Sequence, residues 1–79
     1  SVRAKAAHSL GLIKDASTIE KLVMTMKDSD PEVRQQAAEA LGKMKRSRAI
    51  PALISALRDE DPSVRSTATW ALNEIKHSE

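Results

Sequence analysis

The chain repeats itself every 31 residues, and a period of that size restricts a polypeptide to stacked units of two short elements each. Shifted by one period, Asp30-Pro31-Glu32-Val33-Arg34 falls on Asp61-Pro62-Ser63-Val64-Arg65, and Val2-Arg3 falls on the same pair one period earlier. Ala6 aligns with Ala37 and Ala68, Leu10 with Leu41 and Leu72, and Ile13 with Met44 and Ile75. In the other half of the unit, Ile19, Leu22, Val23 and Met26 align with Ile50, Leu53, Ile54 and Leu57, and Asp28 with Asp59. No gap is needed.

Each unit reads as two helices. The first carries Ile19, Leu22, Val23 and Met26, an i, i+3, i+4, i+7 stripe with Glu20, Lys21, Thr25 and Lys27 turned away. The second carries Val33, Ala37, Leu41 and Met44 on one side of the wheel. Between them stands Asp-Pro: the carboxylate accepts free N–H groups of the next helix, and proline tolerates the first helical position. Ser17 with Glu20 forms a capping-box pattern for the preceding helix, in competition with Asp15 as the cap. The spacing predicts helices over about 1–13, 17–28, 31–44, 48–58 and 62–76, joined by links short enough to force antiparallel neighbours. No segment alternates with period two, so no strand is expected. The chain reads as a single all-α domain over 1–79. Residues 1–13 are the second helix of an incomplete repeat, and 17–44 and 48–76 are two full ones. Gly11 and Gly42, replaced by Asn73 in the last copy, stand where two helices could approach closely.

Composition narrows the function classes. With 79 residues the core must be thin or shared. The absence of cysteine removes disulfides, thiolate zinc sites and thiol nucleophiles. Together with the lack of a signal-like segment, it favours a reducing, cytoplasmic setting. A net charge of +2 does not by itself imply a polyanionic partner, and no apolar run approaches the roughly 20 residues of a membrane span. Trp70 is the only aromatic residue, so the core must be built from Leu, Ile, Val, Met and Ala.

The unit Ile50-x-x-Leu53-Ile54-x-x-Leu57-x-Asp59-x-Asp61-Pro62-x-Val64-Arg65-x-x-Ala68-x-x-Ala71-Leu72 resembles the short HEAT-like repeats found in phycobilisome lyases, and residues 19–44 match in the same register. The resemblance implies a right-handed α-solenoid of antiparallel hairpins whose second helices line a concave surface. Members usually carry Gly-Asp after the second helix, where this chain has Lys14-Asp15 and Lys45-Arg46. The scaffold is implied, not the activity: HEAT-type metal hydroxylases use His-Glu pairs, and this chain contains none. No cofactor or metal is expected.

Outward wheel positions of the second helices vary while the core positions stay constant, as in a scaffold that specifies its partner. They are Ala4, Lys5, His8 and Leu12 in the first copy, Gln35, Gln36, Glu39 and Lys43 in the second, and Ser66, Thr67, Trp70 and Glu74 in the third. Trp70, placed opposite the apolar stripe, is expected either to anchor an interface or to fold over Thr67, Glu74 or a further repeat. Arg3, Arg34 and Arg65 recur with Asp28 and Asp59 and read as a structural ladder between units. Lys43, Lys45, Arg46 and Arg48 form the one basic cluster, a candidate anion contact. It lacks interleaved aromatics, and Glu39 and Glu74 interrupt any basic stripe, which argues against nucleic acid.

The sequence therefore points to a non-enzymatic protein-binding scaffold that uses Gln35, Gln36, Glu39, Lys43, Ser66, Thr67, Trp70 and Glu74. The alternative is a fragment or accessory subunit of a larger HEAT-repeat enzyme, such as a bilin lyase-like protein. Uncovered terminal repeats would suit either a longer array or self-association.

Overall fold

The computed structural model describes residues 2–11 and 16–77, with side chains over 2–7 and 17–77. Its helices are α1 (Val2–Gly11), α2 (Ala16–Thr25), α3 (Pro31–Met44), α4 (Ile50–Ala56) and α5 (Pro62–Lys76). A 3₁₀ turn, Ser47–Ala49, leads into α4. The described residues contain no strand. None of the described helices is long and apolar enough to cross a membrane.

The Asp-x-Asp-Pro sequence explains how the second helices begin. Asp30 accepts the Glu32 N–H at 2.9 Å, and Asp61 accepts those of Ser63 and Val64 at 2.8 and 3.3 Å. The preceding aspartates, Asp28 and Asp59, accept the N–H groups of Asp30 and Asp61, each at 2.9 Å. One aspartate closes the turn and the next starts the helix. Helices α3 and α5 accordingly occupy the expected spans. Helices α2 and α4 end earlier than the periodicity predicts, because their last turns tighten to i→i−3 bonds such as Asp28 N–H to Thr25 O and Asp59 N–H to Ala56 O. Pro51 has no N–H to extend a ladder backwards, and the chain enters α4 through the 3₁₀ turn. The Asp15 cap reading lies outside the described residues.

Helix α3 lies between α1 and α5, while α2 packs on α3 and α1, and α4 on α5. The result is an all-α repeat solenoid, a slab of 32 × 25 × 14 Å. Its core combines Leu22, Leu41 and Leu53 with buried alanines (Ala37, Ala38, Ala68 and Ala71) that let the second helices run close together. Val33 and Val64 are fully buried, but their counterpart Val2 is 85% exposed. Ala6, aligned with the buried Ala37 and Ala68, is exposed as well. Among the described residues no preceding hairpin covers that flank of α1. Ala4 corrects the sequence reading in the opposite sense. Expected to face outward, it is buried together with Ala7, because three residues in a helix bring both onto the inner face of α1.

Candidate functional site

A cleft of about 370 Å³ runs between α3 and α5, lined by Glu39, Lys43, Ser66, Thr67 and Trp70. Five of the eight expected contact residues are thus brought together. Gln35, Gln36 and Glu74 are half-buried and lie outside its lining. Lys5 is exposed on α1; the side chain of His8 and all of Leu12 lie outside the described residues.

The cleft owes its shape to one missing side chain. A Cβ placed on Gly42 would meet Trp70 Cζ3 at 2.6 Å, Ala71 Cβ at 2.8 Å and Ala71 Cα at 2.9 Å. Glycine therefore allows α5 to lie against α3 and gives the indole a floor. Trp70 covers this floor with the Cζ3 edge of its ring. It crosses to α3, leaving 39% of its surface exposed as one wall of the cleft. A tryptophan presenting a supported apolar face and one N–H is a strong contact group.

The opposite wall is polar. Lys43 Nζ lies 3.3 Å from Glu39 Oε1, an exposed i, i+4 pair one helical turn apart. Ser66 and Thr67 place hydroxyls on the α5 side. The cleft can therefore hold an apolar group against the indole while its polar groups exchange hydrogen bonds.

The basic cluster is not a bare cationic patch. Lys43 pairs with Glu39, Lys45 Nζ lies 3.9 Å from Glu74 Oε1, and Arg48 Nε donates to Glu20. Arg46 and Arg48 flank a separate hollow with Ile19 and Ser47. Each of Lys43, Lys45 and Arg48 would have to give up a carboxylate to hold phosphate.

The arginine ladder is built as the register suggests. Arg34 donates from Nε and Nη2 to the Asp59 carboxylate at 2.8 and 3.0 Å. Its Nη1 donates back to the carbonyls of Asp28 and Ser29 at 2.8 and 3.1 Å. Arg3 reaches Asp28 more loosely, at 3.5 Å. Hydrogen bonds from Arg34, with help from the Asp61 N–H, hold the Asp59 carboxyl below the usual carboxylate range against the opposing pull of burial. The same hydrogen bonding raises the Arg34 guanidinium. The pairing of Trp70 with Gly42, by contrast, was hidden from sequence reasoning; its only signal was a glycine repeated at the same place in two second helices.

Comparison with known proteins fits this architecture. A family model described as HEAT repeats matches residues 24–79. No curated protein matches the chain.

Proposed function

The chain belongs to the HEAT repeats, and on that footing we propose that it is a non-enzymatic protein-binding module whose contact surface is the cleft between α3 and α5. The observation that carries this reading is the convergence of Glu39, Lys43, Ser66, Thr67 and Trp70, which vary or differ between copies of a constant frame, on one open cleft. Trp70 acts as the apolar anchor, and the Glu39–Lys43 pair and the two hydroxyls set register through hydrogen bonds. The surface is read as the concave side of the solenoid, with a partner segment lying along the second helices.

Trp70 is the chain's only aromatic residue, so its emission reports the cleft directly. The test compares the intact chain with Thr67→Arg, which fills the cleft from a half-exposed position without touching the core. A bound protein that blue-shifts Trp70 emission, and whose capture Thr67→Arg abolishes at unchanged helicity, supports the proposal. Undiminished capture by the variant defeats it.

A further inference from the structure

A second hollow, of about 330 Å³, lies between the first helices of the two units and shares no lining residue with the α3–α5 cleft. It exists because α2 and α4 do not pack closely on each other: α2 rests on α3 and α1, and α4 rests on α5. Across from Val23 and Met26 of α2, α4 offers only the short side chains of Pro51, Ala52 and Ala56. None of the three is long enough to fill the gap. Val23 and Met26 are half-buried and already seated on the core, so the floor is apolar and supported. The volume falls at the low end of small-molecule sites, which span about 300–1,000 Å³.

The rim decides the chemistry of a guest. Lys27, in the turn that follows α2, joins the lining, is exposed, and pairs with no carboxylate among the described residues. Asp59 borders the hollow as well, but its oxygens are engaged: Oδ2 accepts from Arg34 Nε, and Oδ1 accepts from Arg34 Nη2 and the Asp61 N–H. A cationic guest would compete with Arg34 for that carboxylate, whereas an anionic one meets Lys27 without displacing a partner. Ser55 adds an exposed hydroxyl on the α4 side. We infer that this hollow binds a small carboxylate carrying a short aliphatic chain, with the chain over Val23 and Met26 and the head group on Lys27 and Ser55. One ammonium and one hydroxyl match the two oxygens of a carboxylate; a phosphate would be left with oxygens lacking donors. The lining holds no aromatic ring, and the Met26 thioether adapts to a flexible chain.

The three methionines of the chain stand in three environments: Met26 lines the hollow, Met24 is 64% exposed, and Met44 is buried in the core. Nuclear magnetic resonance of isotope-labelled methionine methyl groups therefore reads the site directly. Sodium octanoate, kept below its micellar concentration, should shift the Met26 methyl saturably and leave Met24, Met44 and the emission of Trp70 unmoved. Lys27→Gln should weaken octanoate about fivefold and leave the response to octanol unchanged. Ala52→Leu, which fills the hollow from a half-buried position, should remove the Met26 response to both probes at unchanged helicity. A silent Met26, three methyls that respond alike, octylammonium bound as tightly as octanoate, or octanoate affinity indifferent to Lys27→Gln overturns the inference. A shift in Trp70 emission with Met26 silent also overturns it, by placing the guest in the α3–α5 cleft.

Discussion

Arg34 in one repeat unit and Asp59 in the next meet as two forks, Nε on Oδ2 at 2.8 Å and Nη2 on Oδ1 at 3.0 Å. Both side chains are nearly covered, at 11% and 12% exposure. Removing one partner would leave the other charge poorly solvated, which costs more than the intact pair contributes. Arg34→Ala should therefore destabilise the chain by about 2–3 kcal/mol. Arg34→Lys should recover less than half of that, since an ammonium cannot hold both carboxylate oxygens and the turn carbonyls at once. Urea unfolding followed by helical ellipticity measures both. A full rescue by lysine would show that charge alone suffices.

The same contact sets an acid dependence. Asp59 is held below the ordinary carboxylate range chiefly by Arg34, and Asp61 chiefly by the Ser63 hydroxyl. A carboxyl whose pKa is lower folded than unfolded binds fewer protons in the folded state. Its contribution is complete above the unfolded value, near about 4, and is lost as pH falls through the folded one. Stability should thus drop from about pH 5 downwards. Asp59→Asn should be less stable at neutral pH and show a shallower drop. Parallel pH profiles for the two chains would remove Asp59 from this role.

At Gly42 two effects oppose each other. Alanine would improve helix propensity by about 1 kcal/mol. Its Cβ, however, would stand 2.6 Å from Trp70 Cζ3 and 2.9 Å from the Ala71 Cα. The indole can swing aside but the α5 backbone cannot, and overpacking of this kind costs about 1–3 kcal/mol. Gly42→Ala should come out destabilised by about 1 kcal/mol, with Trp70 emission shifted to the red as the ring moves into water. Unchanged emission would mean that the ring is not seated on Gly42.

The repeat register made most of the frame readable in advance. Asp-Pro fixed the starts of α3 and α5, and matched Leu and Ala positions marked the core. What stayed hidden depends on neighbours that a helical wheel does not contain. Ala4 and Ala6 have similar character, yet one is buried and the other exposed, because the inner face of α1 is covered and its flank is not. Trp70 occupies an outward wheel position, yet its support lies 28 residues away at Gly42, on another helix. Five of the expected contact residues share the cleft because they flank the α3–α5 contact, whereas Gln35, Gln36 and Glu74 sit beyond its lining.

Helix α3 ends on Lys45, whose φ of 54° and ψ of 45° place it in the left-handed region that favours glycine. A side chain there costs about 1 kcal/mol or more relative to glycine, because Cβ crowds the following carbonyl. Glycine in turn has more backbone freedom to lose on folding, which offsets part of the gain. The Lys45–Glu74 pair, at 3.9 Å and open to solvent on the lysine side, contributes little. Lys45→Gly should therefore stabilise the chain, by about 0.5 kcal/mol. Lys45→Ala removes the same ion pair but keeps the Cβ, and should leave stability unchanged or slightly lower. Urea midpoints of the three chains separate backbone from charge: a loss shared by both variants would assign the position to the ion pair, whereas a gain confined to glycine assigns it to the turn.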